Sequence, residues 1–152
     1  MDGFDYRELY DQKGIPTAIM YITAGMRYNL LRYGDIMFLD SQKRQYNSSG
    51  WPYIGPVIKN NENMLGVTSE GLVTSEDIDM YTWMFQAMMS IEPRWSITSL
   101  KVIYADEFLT QKLLRNLKIE DTCFLHCDYF NLMKEVWPKE EDFGAVHFRM
   151  IK

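Results

Sequence analysis

The sequence predicts an α/β fold: a mixed five-stranded sheet, with a three-stranded antiparallel meander followed by an αβαβ arrangement and helices on both faces. The prediction depends on two short apolar runs, each of which ends at an aspartate. It also depends on the flanking segments, where apolar residues recur at helical spacing. Residues 36–39 precede Asp40, and residues 102–105 precede Asp106. Central strands of a parallel sheet are apolar throughout because both faces are covered. We therefore expect these two runs to be the central strands.

The amino-terminal elements are expected to be peripheral. Residues 1–16 are polar with interspersed aromatics, which suggests a lead-in of weak helical character. Residues 17–23 are β-prone and are interpreted as an edge strand. An apolar stripe at helical spacing predicts a helix over 24–33, and Gly34 is its expected C-cap.

Residues 53–73 predict a β-hairpin. One strand is expected at 53–58 and the returning strand at 64–73, with a turn at 60–63 between them. Pro56 cannot donate a backbone hydrogen bond to a neighbouring strand, so it should lie at an edge or a bulge.

Three helices and two strands are expected after the hairpin, and the first of these strands is the central one at 100–105. Thr74 is the predicted cap of a helix that runs to about Ser90, and a leucine stripe predicts a second helix over 109–117. A short strand at 122–125 and a last helix at 131–136 complete the order. Helix 74–90 carries a methionine and aromatic stripe, interpreted as core or as a partner surface rather than as a cofactor-binding site: Trp83, Met84, Phe85, Met88 and Met89.

This order of elements is the pattern of an RNase H-like fold. Right-handed crossovers would place the first and fourth strands side by side. Asp40 and Asp106 would then face one crevice at the carboxyl ends of the strands, where α/β sheets bind ligands. Two close carboxylates repel each other unless a proton or cation lies between them, and a hard divalent cation is the obvious candidate. The alternative is that each aspartate simply ends its strand and caps a turn.

Two weaker candidate sites accompany the aspartates. Cys123 and His126 form a CxxH pair that could be half of a zinc site, which Cys127 and His147 would have to complete. The alternative is a buried cysteine and a hydrogen-bonded histidine at a strand end. Glu76 could be a ligand near the same sheet edge, or a first-turn glutamate that interacts with the helix dipole.

Composition limits the classes of partner. The net charge of −5 disfavours tight nucleic-acid binding by this piece alone, since phosphate contacts need clustered basic residues. No apolar run reaches the length of a membrane span, so no membrane partner is expected. Two cysteines and an acidic start without a signal peptide indicate an intracellular, reducing compartment.

Four groups of residues, in order over residues 28–133, resemble the catalytic core of Mutator-like (MULE) transposases, the group that also gave rise to far-red-response transcription factors. The matching residues are 32–40 with Tyr46, Asn47 and Pro52; 72–77 with Tyr81, Trp83 and Phe85; 102–106; and 123–126 with Asn131. The resemblance implies an RNase H-like fold and a DDE-type site for DNA transposition in the nucleus. Asp40 and Asp106 would be the catalytic aspartates that hold Mg²⁺ or Mn²⁺, and Cys123 and His126 would be the family's CxxH motif.

The chain also departs from this family. The family's third acid lies well beyond the CxxH motif, and Glu135, Glu140 and Glu141 lack its context. The expected organisation is a lead-in at 1–27, a transposase core lacking the third acid at 28–137, and a tail at 138–152. DNA is the expected partner in the full-length context, with a protein partner or a homo-oligomer as further expectations. The alternative function is a domesticated, catalytically inactive module that serves protein interaction or transcriptional regulation.

Overall fold

The structure, a computed structural model, describes residues 3–39, 41–42, 48–105 and 107–127. Over these residues it is a mixed α/β protein with two five-stranded sheets and three helices, so the α/β class is confirmed. The second sheet was not expected. In chain order the elements are β1 (Asp5–Tyr10), β2 (Pro16–Ile22), α1 (Ala24–Tyr33), β3 (Ile36–Phe38), β4 (Ser41–Gln42), β5 (Tyr53–Ile54), β6 (Val57–Lys59), β7 (Leu65–Val67), β8 (Glu70–Val73), α2 (Ile78–Ile91), β9 (Val102–Ala105), α3 (Glu107–Asn116) and β10 (Phe124–Cys127).

The first sheet, called here the mixed sheet, has the strand order β10-β9-β3-β6-β7. The pairs β3–β9 and β9–β10 are parallel, whereas β3–β6 and β6–β7 are antiparallel. Strand β6 therefore runs against the other four. The predicted adjacency of the two apolar strands is confirmed, because Met37 pairs with Ile103 and both side chains are buried.

The second sheet, called the antiparallel sheet, has the order β1-β2-β8-β5-β4. The expected helical character of residues 1–16 is wrong, since β1 is a strand that pairs with β2 along its whole length. A tight turn closes this hairpin: Asp11 accepts hydrogen bonds from the backbone N–H groups of Lys13 and Ile15 through its side chain, and Gly14 has a φ of 75°. Cross-strand pairing thus outweighs a weak local helix preference.

Strand β2 is also not the edge strand that was expected. It lies between β1 and β8, and Met20 on its inner side is fully buried. The edge position is taken instead by β1, which the sequence analysis did not anticipate.

The predicted hairpin over residues 53–73 exists, but both of its arms are interrupted. One arm leaves the antiparallel sheet at Gly55–Pro56 and enters the mixed sheet, and the other passes between the sheets at Thr68–Ser69. The two interruptions contact each other, because the backbone N–H and the hydroxyl of Thr68 both donate to the carbonyl of Pro56, at 3.0 and 3.1 Å. Pro56 has no N–H to donate, and it thus lies between β5 and β6, outside the hydrogen-bond ladders of both sheets.

The helices begin at side-chain caps. Thr23 caps α1 by accepting from the Met26 N–H, and Gly34 is its C-cap as predicted. The predicted cap of the second helix, Thr74, is wrong: Asp77 accepts from the Met80 N–H, and α2 starts at Ile78. Aspartate is among the strongest N-caps, so it prevails over a threonine three residues earlier.

One hydrophobic cluster joins the helices to both sheets. The interpretation of the α2 stripe as core is confirmed, since Met84, Phe85 and Met88 are fully buried, and Trp83 and Met89 pack against the cluster partly buried. Leu113 of α3 is fully buried as well. The predicted helix at 131–136 lies outside the described residues. No helix in the described part of the chain is long and apolar enough to cross a membrane.

Candidate functional site

The predicted catalytic and metal-binding residues, Asp40 and Asp106, lie outside the described residues, but the strands that lead to them are described. Leu39 and Ala105 are the last described residues before the two aspartates, and both are buried. The candidate site is therefore built from the carboxyl ends of β3 and β9.

A continuous ladder fixes β3 against β9. At the amino ends, the backbone N–H groups of Lys101 and Val102 donate to the carbonyl of Asp35, at 2.7 and 3.2 Å. At the carboxyl ends, the N–H of Leu39 donates to the carbonyl of Tyr104 at 2.8 Å. Because the strands are parallel and in register over their whole described length, their carboxyl ends lie at the same edge of the mixed sheet.

Phe38 and Tyr104 form a stacked aromatic pair at this edge. They are register partners, their ring centroids lie 4.7 Å apart, and both side chains are half-buried. This pair was not predicted from the sequence. An available signal was the matching offset: each aromatic residue stands two positions before one of the two aspartates.

Of the CxxH residues, Cys123 immediately precedes β10 and His126 lies within it. Cys123 is buried, and burial raises the pKa of its thiol to about 11, so the neutral thiol is the stable form at physiological pH. His126 is a residue of β10 and pairs in register with Tyr104. His147, needed for the closed zinc site, lies outside the described residues, and the described residues contain no group of three metal-ligating side chains. The zinc site stays a prediction.

Glu76 is exposed and stands one residue before the N-cap of α2. Its expected place in the first helical turn is wrong, because the helix begins later than the sequence suggested. Nothing in the described contacts ties its carboxylate to the carboxyl ends of β3 and β9.

A polar cluster on the antiparallel sheet was missed. Glu70 of β8 accepts hydrogen bonds from the hydroxyls of Tyr21 and Tyr53, the latter at 2.8 Å. Burial raises the pKa of Tyr53, and the bond to Glu70 raises it further. The three residues come from three strands that are distant in sequence, so no local motif announces them.

A charged cluster lies beside an open cavity of about 540 Å³ near the start of α1. Buried Glu92 accepts two hydrogen bonds from the Arg94 guanidinium, at 2.8 and 2.9 Å, and Arg27 lies 3.5 Å away. Arg27 also pairs with Asp5. The hydrogen bonds from Arg94 hold the pKa of Glu92 below its ordinary value, so the carboxylate stays ionised.

Comparisons of the chain with protein families, with curated proteins and with solved structures give no match. The resemblance to Mutator-like transposases therefore depends on the sequence motifs alone.

Proposed function

We propose that this chain is the catalytic core of a DDE-type DNA transposase of the Mutator-like group, with an RNase H-like fold. One observation carries the proposal: β3 and β9 are parallel neighbours in register, and each leads directly to an aspartate of the quoted motifs. Ligands of α/β sheets bind outside the carboxyl ends of such strands.

The strand order of the mixed sheet supports the fold assignment. In chain order, the first three strands of this sheet are β3, β6 and β7, which form the meander. Its fourth and fifth strands are β9 and β10. The meander's first strand lies beside the fourth, and only the second strand runs in the opposite direction. This is the arrangement that an antiparallel meander followed by αβαβ crossovers produces when the crossovers are right-handed.

The proposed roles follow from the chemistry of the two side chains. Asp40 and Asp106 would hold Mg²⁺ or Mn²⁺, since carboxylate oxygens are the preferred ligands of these hard cations. When bound, paired metal ions stabilise the attacking and leaving oxygens of a phosphodiester displacement. The ladder between β3 and β9 would position both aspartates before any metal binds, which lowers the cost of assembling the site.

Glu135, Glu140 and Glu141 lie outside the described residues, so the third acid of the DDE set stays unassigned. Asp40 and Asp106 supply two of the three acids, and we expect DNA cleavage and strand transfer to require the third. DNA is the proposed partner and the nucleus the proposed location.

The alternative function is a domesticated, inactive RNase H-like module for protein interaction or transcriptional regulation. The exposed aromatic side chains of the antiparallel sheet favour it, because contiguous exposed apolar side chains often mark an interaction site. The two functions differ in whether Asp40 and Asp106 bind a divalent cation.

Paramagnetic broadening of backbone amide signals by Mn²⁺ separates the two. In the metal-stripped chain, millimolar Mn²⁺ should broaden the signals of Leu39 and Ala105 before those of other residues. Asp40→Asn combined with Asp106→Asn should abolish the effect.

Asp35→Asn is the matched control, because it removes an exposed carboxylate at the opposite end of β3. It should leave the broadening at Leu39 and Ala105 unchanged. A folded protein with no broadening at these two amides, or with broadening that persists in the double variant, would contradict the transposase proposal.

A further inference from the structure

The outward side of the antiparallel sheet carries an apolar surface that we call the tyrosine face. Register pairs place its side chains together, since Tyr6 pairs with Tyr21, Tyr21 with Glu70, and Ile19 with Leu72. The opposite side of the same strands is core. The tyrosine face consists of Phe4, Tyr6, Glu8, Tyr10, Ile19, Tyr21, Tyr53, Glu70 and Leu72.

The aromatic part of this face is exposed and contiguous. Phe4 is 63% exposed, and Tyr6 and Tyr10 are each 51% exposed. The Phe4 ring lies 6.3 Å from that of Tyr6 and 5.8 Å from that of Tyr21, measured between centroids. Soluble proteins rarely leave a contiguous apolar patch uncovered unless something binds there.

The polar part of this face is anionic and held in place by the tyrosines. The Tyr10 hydroxyl donates to Glu8 at 2.7 Å, and Tyr21 and Tyr53 donate to Glu70. The described side chains that make up the face include no lysine or arginine. Arg7, the basic residue of β1, bonds instead to Ser90 at the end of α2. The hydroxyls of Tyr10, Tyr21 and Tyr53 are thus engaged, while the rings of Tyr6 and Tyr10 stay exposed.

The exposed rings and the carboxylates of the tyrosine face together determine which kind of partner can bind there. Carboxylates repel nucleic-acid phosphates and anionic lipid headgroups. A second copy stacked face to face would bring Glu8 and Glu70 of each copy towards those of the other, which like-charge repulsion opposes. A guanidinium satisfies both features, because it pairs with carboxylates through two parallel hydrogen bonds and stacks on aromatic rings.

We propose that the tyrosine face is a docking surface for an extended, arginine- and proline-rich segment of a partner protein. Proline rings pack against exposed aromatic rings, and the segment is already extended before it binds, so little conformational entropy is lost. Arginine side chains of the segment reach Glu8 and Glu70. The docking surface goes beyond the proposed transposase chemistry and depends on none of its residues.

Isothermal titration of the full chain tests the proposal, with a synthetic peptide of repeated Arg-Pro-Pro units as the probe. Tyr6→Ser should weaken binding about tenfold, the size expected when an interface aromatic is lost. Glu8→Gln should weaken it as well, and more strongly at low salt, since the interaction is partly electrostatic. Chemical-shift changes should fall on β1, β2, β5 and β8.

Leu65→Ser is the matched control: Leu65 is 73% exposed, but it lies on β7 of the mixed sheet. It should leave the affinity unchanged. A peptide with glutamate in place of arginine should not bind.

Several outcomes would overturn the proposal. They are no binding of the Arg-Pro-Pro peptide, equal binding of its glutamate counterpart, equal losses in Tyr6→Ser and Leu65→Ser, and saturable binding of single-stranded DNA to the same strands when no peptide is present. A dimer in solution that dissociates on Tyr6→Ser would assign the face to a second copy and would overturn it too.

Discussion

The rings of Phe38 and Tyr104 stack across the two central strands of the mixed sheet, with centroids 4.7 Å apart and planes inclined by 15°. Each residue stands two positions before an aspartate of the proposed site. The pair therefore links β3 to β9 through side chains where the backbone ladder reaches the carboxyl edge. A contact at this point constrains the spacing of the strands that carry the aspartates.

Phe38 and Tyr104 should be energetically coupled. In a double-mutant cycle of Phe38→Leu and Tyr104→Leu, we expect a coupling free energy of about 1 kcal/mol, as for other stacked aromatic pairs. Urea unfolding of the four proteins measures it. Phe4→Leu with Tyr104→Leu is the control cycle, because Phe4 precedes β1 of the antiparallel sheet whereas Tyr104 lies in the mixed sheet, and its effects should add. Equal coupling in both cycles would rule out a specific stack.

Gly55→Ala should destabilise the protein by about 1–3 kcal/mol, the usual cost of a steric conflict in a packed region. A Cβ at Gly55 would lie 2.9 Å from the Ser69 carbonyl oxygen, a backbone atom that cannot rotate away. Gly3→Ala should be nearly neutral, since a Cβ there meets nothing within 4 Å. Thermal unfolding followed by circular dichroism compares the two, and equal effects would contradict the close approach at the interruption.

The stability of the fold should fall in acid through Glu92. Its pKa is lowered in the folded state, chiefly by the hydrogen bonds from Arg94, so the unfolded state takes up the proton more readily. The carboxylate contributes its full stabilisation above the ordinary value of 4.5 and loses it as the pH falls through the folded pKa.

Glu92→Gln should flatten the decline in urea midpoint below pH 4.5. Arg94→Gln should flatten it too, because without the guanidinium the folded pKa of Glu92 returns towards its ordinary value. An unchanged acid profile in both variants would show that the Glu92–Arg94 pair contributes nothing to acid stability.

Tyr53 should make the protein sensitive to alkali. Burial, and then the bond to Glu70, raises its pKa, so the folded state keeps the phenol proton after the unfolded state has lost it. Stability is therefore full below the ordinary value of 10.0 and falls as the pH rises above it. Tyr53→Phe should reduce this loss, measured as unfolding midpoints together with tyrosinate absorbance. If Tyr53→Phe loses as much stability in alkali as the unmodified protein does, groups other than Tyr53 cause the alkaline sensitivity.

Sequence patterns predicted the elements whose signal is local. The apolar runs at β3 and β9 and the stripe of α2 were recognisable because burial on both faces of a strand, or on one face of a helix, leaves a periodic signature. Strand β1 was missed because its pairing with β2, and not its own composition, determines its conformation. The antiparallel sheet was missed because β5 and β8 are short and are completed by distant strands.

The candidate site was predictable only in part. Asp40 and Asp106 could be selected from sequence because each ends an apolar run, and the adjacency of the two runs followed from crossover handedness. The Phe38–Tyr104 stack and the Glu70 cluster could not be predicted from a motif, since cross-strand register brings their members together.

We expect the hairpin that passes between the sheets at Gly55–Pro56 and Thr68–Ser69 to make the two sheets one cooperative unit. Each arm of the hairpin is hydrogen-bonded to one sheet at one end and to the other sheet at its other end. Unfolding of either sheet would therefore pull on the strands of the other. Amides of β6 and β8 should accordingly exchange with solvent at similar rates, as residues of a single unfolding unit do. A partner bound to the tyrosine face would then slow amide exchange in β3 and β9 as well. Binding at the antiparallel sheet would thus make the mixed sheet more rigid.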